Sequence, residues 1–210
     1  MRNALAIALT PILLCIAGWA QEVKVLSMCS PKLRQFLSSH PEAFQAFTNT
    51  LSRAFGHRPI EIYYFYSEDK SVPVASHYYL EEGGVGIKIR ENQTPSDEFI
   101  SLLFEVINSE SEEYFKELIT KARAGTVSRR DFAEEMLRTE FKAVEKTRGL
   151  LPHLNLSKQE LAESHEYKQF INCPKEFKEF LTYTRKITSP HRDAIKVYES
   201  AYDLLRKPQR

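Results

Sequence analysis

Apolar side chains recur at helical spacing along much of the chain. The first long stripe consists of Phe44, Phe47, Leu51 and Phe55. Pro41 precedes this stripe and Gly56 follows it, which is typical of a helix with a proline in its first turn and a glycine beyond its last. Ser30-Pro31 opens a shorter helix by the same logic, whereas residues 22–28 are predicted to be extended.

The hydrophobic period changes from helical to alternating after Gly56. Ile60, Ile62, Tyr64 and Tyr66 alternate with Glu61, Tyr63 and Phe65, which predicts an aromatic strand buried on both faces for part of its length. Residues 74–90 contain two further strand-like segments around Gly83-Gly84, and this pattern favours a β-hairpin. We therefore expect a small antiparallel sheet of about three strands.

From Thr94 onward the pattern is helical. Capping residues at Thr94, Ser128 and Ser157 open three helices, and a break near Asn108-Ser109 separates a further one over residues 110–124. Pro174 and Pro190 open the last two helices. The sequence thus predicts a helix-rich α+β fold, with a helical C-terminal half.

The first twenty residues have the pattern of a signal peptide. Arg2 precedes an apolar run that ends at Gly18-Trp19-Ala20, and this run is shorter than the ~20 apolar residues that span a bilayer. We expect cleavage after Ala20, rather than lipid attachment at Cys15, because Leu14 is too large for a lipoprotein signal. Residues 21–210 would form one mature domain, exported to the periplasm or secreted, with no transmembrane segment.

Charge and cysteine content constrain the partners and the redox state. The chain has 29 Lys and Arg against 28 Asp and Glu, so removal of Arg2 leaves 28 of each sign. No net field attracts nucleic acid, which we exclude as a partner. Cys29 and Cys173 remain in the mature chain, and they could form one disulfide or stay as two buried thiols.

The complete motifs of common enzymes and cofactor sites are absent from the sequence. There is no Gly-x-Ser-x-Gly elbow, no P-loop and no Gly-x-Gly-x-x-Gly, and we predict no cofactor and no metal. No two of the six histidines are four positions apart. His77 and His165 are the two that merit testing as ligands, although exposed or hydrogen-bonded histidines are the commoner case.

One segment resembles a known family of enzymes. The predicted strand and hairpin lead into a helix that contains Phe104, Glu105 and Asn108. This layout resembles the core of zincin-like metallopeptidases, whose active helix carries His-Glu-x-x-His. Glu105 is in register with the catalytic glutamate, whereas Phe104 and Asn108 replace the two zinc-binding histidines. The resemblance, over residues 60–108, therefore implies an inactive derivative.

Glu105 lies at the edge of the apolar stripe of its helix and needs a polar partner there. If the helix that begins at Ser128 packs against it, a cluster could form from Glu105, Asn108, Arg138 and Glu140. Such a cluster could hold a cation or polarise a water, with Glu105 and Glu140 as catalytic candidates. The commoner alternative is a buried ion pair that fixes the packing of the helices, and we expect Glu105→Ala to lower stability more than activity.

Aromatic side chains of the predicted sheet are the other candidates for binding. Tyr63, Tyr64, Phe65, Tyr66, Tyr78 and Tyr79 would lie on adjacent strands. Packing within the sheet is their common role. If one face is open, these tyrosines, Tyr64 and Tyr66 among them, could instead bind a peptide or a glycan.

Three classes of function are consistent with these patterns. The preferred one is an exported, soluble, non-catalytic binding or interaction module for an unknown protein, peptide or glycan, with a degenerate peptidase-like core. The second is a hydrolase with an unconventional acidic site around Glu105 and Glu140. The third is a secreted factor that acts on another cell.

Overall fold

The structure is a computed structural model that describes residues 25–56, 58–68, 74–80, 84–187 and 193–207. For residues 185–187 this description covers the backbone only. The predicted signal peptide, residues 1–20, lies outside the described residues. Residues 25–28 are helical rather than extended, because Val25 and Cys29, four positions apart, both face the core. Helices α1, Pro31–Ser39, and α2, Pro41–Phe55, follow.

A three-stranded mixed sheet follows α2. Its strands are β1, Ile60–Phe65, β2, Ala75–Tyr79, and β3, Val85–Arg90, in the spatial order β1-β3-β2. β2 and β3 form the predicted antiparallel hairpin, with His77 opposite Ile87. β1 is parallel to β3, however, with Ile62 opposite Ile87, so one of the two pairings differs from the expected antiparallel arrangement.

The central position of β3 has a physical basis. Val85, Ile87 and Ile89 are fully buried on one face of this strand, and the strand that contributes most apolar surface gains most from neighbours on both sides. The alternation of β1 defines which side chains share a face, but it carries no information about strand direction. β1 is also buried on one face rather than both, since Tyr63 is exposed.

Helix α3, Pro95–Ser109, is the centre of the fold. Thirteen of its fifteen residues are buried, and it contacts α1, α2, β2 and β3 together with two later helices. The Thr94 side chain accepts a hydrogen bond from the Asp97 amide at 3.1 Å, which confirms the predicted N-cap. A helix buried on nearly all sides has to accommodate its polar residues inside the protein, and this requirement creates the clusters described below.

The remaining helices are α4, Glu112–Ala124, α5, Arg129–Leu150, α6, Lys158–Glu163, α7, His165–Asn172, α8, Phe177–Ile187, and α9, Ala194–Leu205. Gly125 ends α4 in the left-handed conformation with φ 73°, as expected of a glycine at that position. Ser157 caps α6 in a capping box. A helix-rich α+β fold is therefore confirmed. α7 was not anticipated as a separate helix; Ser164 caps it with a hydrogen bond from the Tyr167 amide at 3.0 Å.

Cys29 and Cys173 are both buried free thiols, so the predicted disulfide is not present. Cys29 follows the helical turn of residues 25–28, and its Sγ lies 3.4 Å from the Val25 carbonyl oxygen. Cys173 follows α7, where the Arg148 guanidinium donates to its carbonyl at 2.7 Å. A disulfide requires Cβ atoms about 4 Å apart, a geometry that burial in one core does not by itself provide.

None of the helices in the described part of the chain combines the length and apolar character needed to cross a bilayer.

Candidate functional site

A buried acid-base pair joins the sheet to the central helix. His77 lies on the inner face of β2, and its Nδ1 is 2.6 Å from Oε2 of Glu105 on α3. Only 11% of the His77 side chain and 8% of the Glu105 side chain are exposed. The Tyr79 hydroxyl is 3.4 Å from the other ring nitrogen of His77. Glu105 thus has the partner that its burial requires, and that partner comes from the sheet.

A second pair lies close to the first. The Tyr198 hydroxyl of α9 donates a hydrogen bond to Oε1 of Glu140 on α5. Burial raises the pKa of Glu140 from 4.5 to about 7, and the charge of Glu105 adds to this effect while Tyr198 and His77 oppose it. Burial, followed by the charge of Glu140, raises the pKa of Tyr198 well above its ordinary value. We call His77, Glu105, Glu140 and Tyr198 the inner cluster.

The inner cluster differs in membership from the predicted one. Glu105 and Glu140 are near enough to influence each other, as expected. Arg138 was expected to join them, but it lies elsewhere: its guanidinium is 4.1 Å from the centre of the Phe177 ring and 3.4 Å from a Glu135 carboxylate oxygen. Cation–π contact with α8 is favourable for an arginine and leaves its charge near the surface.

Asn108 is buried, and its Oδ1 accepts no hydrogen bond from any of the described residues. Phe104, the other residue at a histidine position of the peptidase motif, packs on Phe170 with ring centres 5.3 Å apart. Across the described part of the chain, no group of three or more His, Cys, Asp or Glu side chains could hold a metal ion.

Glu105 is the most deeply buried member of the inner cluster, whereas His77, Glu140 and Tyr198 are partly exposed. The members of this cluster do not line either of two surface cavities of about 410 and 380 Å³. Glu105 is only 6% exposed, and its carboxylate is already engaged by His77. A general acid or base has to reach its substrate directly or through one water, and this arrangement favours a structural role for Glu105.

The opposite face of the sheet is open. The strand register places Tyr63 of β1 beside Lys88 of β3, and Tyr78 of β2 beside Gly86. Tyr63 is 45% exposed and Tyr78 is 37% exposed. Their rings stack with centres 6.4 Å apart and an angle of 27° between the ring planes, and Lys88 Nζ is 5.2 Å from the centre of the Tyr78 ring. We call Tyr63, Tyr78 and Lys88 the outer face.

Gly86 gives Tyr78 the space for its orientation on this face. A Cβ at position 86 would lie 2.2 Å from Cζ of Tyr78, so the tyrosine ring leans across the glycine. The Tyr63 hydroxyl donates to the Glu61 carboxylate on the same face, and this hydrogen bond raises the pKa of Tyr63 to about 12. The outer face therefore combines two aromatic rings, one carboxylate and one ammonium group.

The two tyrosines singled out from the sequence occupy different environments. Tyr64 lies on the inner side, where its hydroxyl donates to Glu98 at 2.6 Å and accepts from the Ser30 amide at 2.7 Å. Tyr66 lies beyond β1, is 63% exposed and donates to Glu68 at 2.6 Å. Sequence analysis included Tyr78 among the aromatic candidates but did not consider Lys88, although a glycine within the alternating β3 pattern indicates a close approach by a neighbouring group.

No protein-family model matches the chain, and searches of curated proteins and of solved structures find no match either.

Proposed function

We propose that the protein is an exported, non-catalytic binding module that recognises a glycan on its outer face. The observation that carries this proposal is the stacked, exposed pair Tyr63 and Tyr78 beside Lys88 on an uncovered sheet surface. Contiguous exposed aromatic surface is characteristic of binding sites.

The chemistry of the outer face suits a sugar ring better than a peptide. The Tyr78 ring leans over Gly86 and leaves a broad aromatic surface against which the C–H groups of a pyranose can pack. Glu61 and Lys88 stand beside the two rings and supply an acceptor and donors for the hydroxyl groups of the sugar. An extended peptide is the second class of ligand, and it would be expected to pair with the free edge of β1 or β2.

Support for a non-catalytic role comes from the contacts of Glu105 and its neighbours. Glu105 keeps the register of the peptidase glutamate, but His77 engages its carboxylate, and Phe104 packs on Phe170. A degenerate peptidase-like core is consistent with these contacts. Export is supported by the pattern of residues 1–20 alone. To test it, the protein is expressed in a secreting bacterial host and its mass is measured. We expect the mass of a chain that begins at Gln21.

The binding proposal is tested by titrating the mature protein with chitohexaose and cellohexaose while following tyrosine fluorescence and amide NMR shifts. We expect saturable binding of at least one oligosaccharide and an affinity about tenfold lower for Tyr78→Ala. Tyr114→Ala is the matched control, because Tyr114 is also 37% exposed and donates to Glu135 on a distant helix. This control should bind like the wild type.

Gly86→Ala tests the geometry of the face separately from its composition. The added methyl group would displace the Tyr78 ring, whereas the aromatic content is unchanged. We expect weaker glycan binding with little change in melting temperature, since the displaced atoms belong to a movable side chain. Equal glycan affinity of Tyr78→Ala and wild type, or binding of neither oligosaccharide, would contradict the proposal. Pairing of a labelled extended peptide with a strand edge would support the second class instead.

A further inference from the structure

A second cavity lies at the end of the sheet, away from the outer face. It has a volume of about 380 Å³ and is lined by Tyr66 beyond β1, by residues 90–94 after β3, and by Asp97, His165 and Glu166 at the beginnings of α3 and α7. Tyr63, Tyr78 and Lys88 do not line it. A ligand here would therefore be independent of the proposed glycan site.

Asp97 holds the beginning of α7 through one of its two carboxylate oxygens. Its Oδ1 accepts a hydrogen bond from the Ser164 hydroxyl at 2.5 Å and another from the Glu166 amide at 2.9 Å. These contacts satisfy the beginning of α7, which would otherwise be free to bind an anion. Backbone amides at the beginnings of α3 and α7 thus already donate to side chains of the protein itself.

The Glu166 carboxylate, in contrast, has only a distant partner, His165, among the described residues. Only 7% of the surface of Glu166 is exposed, and this residue lines the cavity. Its one charged contact is His165 Nδ1, at 3.7 Å, which is beyond hydrogen-bond distance. That nitrogen also lies 2.8 Å from Nε2 of Gln169.

The charges around the cavity favour a cation. Glu91, Asp97 and Glu166 carry three potential negative charges, against Arg90 and the exposed ring of His165. Arg90 takes part in an interaction of its own. Tyr66 adds an exposed aromatic ring at the rim, and such rings attract organic cations.

We propose that this cavity binds an organic cation, a guanidinium or primary ammonium group such as an arginine or lysine side chain presents, with Glu166 as its counter-ion and Tyr66 beside it. A bare metal ion is a poorer fit, because the acidic side chains here do not form a metal-binding group. The ligand would supply a close cationic partner to a carboxylate whose one ionic partner among the described residues, His165, is 3.7 Å away.

The test is a titration of the mature protein with N-acetyl-arginine methylamide, followed by the amide NMR shifts of His165 and Glu166. The neutral isostere N-acetyl-citrulline methylamide is the ligand control. We expect a Kd of about 1 mM for the arginine compound and binding about tenfold weaker or more for the citrulline compound, as loss of one charge-assisted hydrogen bond implies.

Two variants locate the site. Glu166→Gln should weaken binding of the arginine compound about tenfold, whereas Glu163→Gln, which removes the same charge from an exposed position of α6, should leave the affinity unchanged. Tyr66→Ala changes an exposed rim residue and should weaken binding severalfold without affecting folding.

The affinity should also increase as the pH rises through about 7, because burial and then the charge of Asp97 raise the pKa of Glu166 to about 7. The other charged groups that face Glu166 are His165 on its own helix and Glu105 on α3, with Arg90 and Glu91 at the cavity wall. Equal binding of the two compounds, unchanged affinity of Glu166→Gln, or no saturable binding up to about 10 mM would overturn the proposal. Each of these results leaves the glycan proposal standing.

Discussion

His77 and Glu105 meet at 2.6 Å across the interface of the sheet with the central helix, although 28 positions separate them along the chain. Both side chains are nearly buried, so each satisfies a polar group that would otherwise be stranded in the core. This contact links β2 to α3 and engages the Glu105 carboxylate.

The first prediction concerns this pair. Glu105→Leu leaves His77 buried without its partner and should lower the free energy of unfolding by about 3 kcal/mol, while His77→Phe should cost a similar amount. The double variant replaces both polar groups by apolar ones and should be markedly less destabilised than the sum of the single changes. Chemical denaturation of the four proteins gives the coupling energy. Additive losses would show that the two side chains are not energetically linked.

A second prediction follows from Glu140, whose pKa is raised from 4.5 to about 7 in the folded protein. Between these two pH values the unfolded chain has lost this proton and the folded chain keeps it. The free energy of unfolding therefore falls as pH rises through this window, and the loss persists above pH 7. Glu140→Gln removes the effect, because a neutral amide oxygen can still accept from Tyr198.

We expect Glu140→Gln to be more stable than the wild type by about 1 to 3 kcal/mol at pH 8 and no more stable at pH 4. Denaturation curves at both values provide the measurement. Glu145→Gln, on an exposed side of the same helix, is the control and should not change the pH profile. Glu166 titrates in the same range, so part of the slope will remain in the variant. A Glu140→Gln profile that parallels the wild type would contradict the assignment.

The third prediction concerns the thiols of Cys29 and Cys173. Burial raises the pKa of Cys29 to about 12 and that of Cys173 to about 11, so neither forms much thiolate at pH 8. Native protein beginning at Gln21 should react slowly with Ellman's reagent, and unfolding without reductant should expose two reactive thiols. Finding no thiols in the unreduced, unfolded chain, together with a melting temperature that falls on reduction, would instead reveal a disulfide.

Local sequence was sufficient for most of the helices. Thr94, Ser128 and Ser157 each accept a hydrogen bond from the backbone amide three positions ahead, and this bond depends on little beyond its own turn. The hairpin of β2 and β3 is equally local, since its two strands are adjacent along the chain. Such elements can be predicted because the residues that specify them are neighbours in sequence.

The candidate sites were predicted only in part. Glu105 was correctly expected to need a partner, but a helical cluster with Arg138 was expected, and the partner is His77 from the sheet. The cavity at Glu166 depends on Asp97, 69 positions earlier, and on residues that follow β3. The Tyr78 ring can lean across position 86 because Gly86 has no side chain. This use of the glycine can be recognised only when the register of β2 and β3 is known.

By itself, the sequence determined the helical and alternating periods, the caps, the near-neutral charge balance and the apolar pattern of the first twenty residues, because each of these depends on composition or on residues within a few positions of each other. Tertiary structure alone decided the parallel pairing of β1 with β3, the partner of Glu105, the free state of both thiols and the open face of the sheet. These features depend on which distant segments share the core, and that choice is settled by the burial of apolar surface over the whole chain rather than by any local pattern.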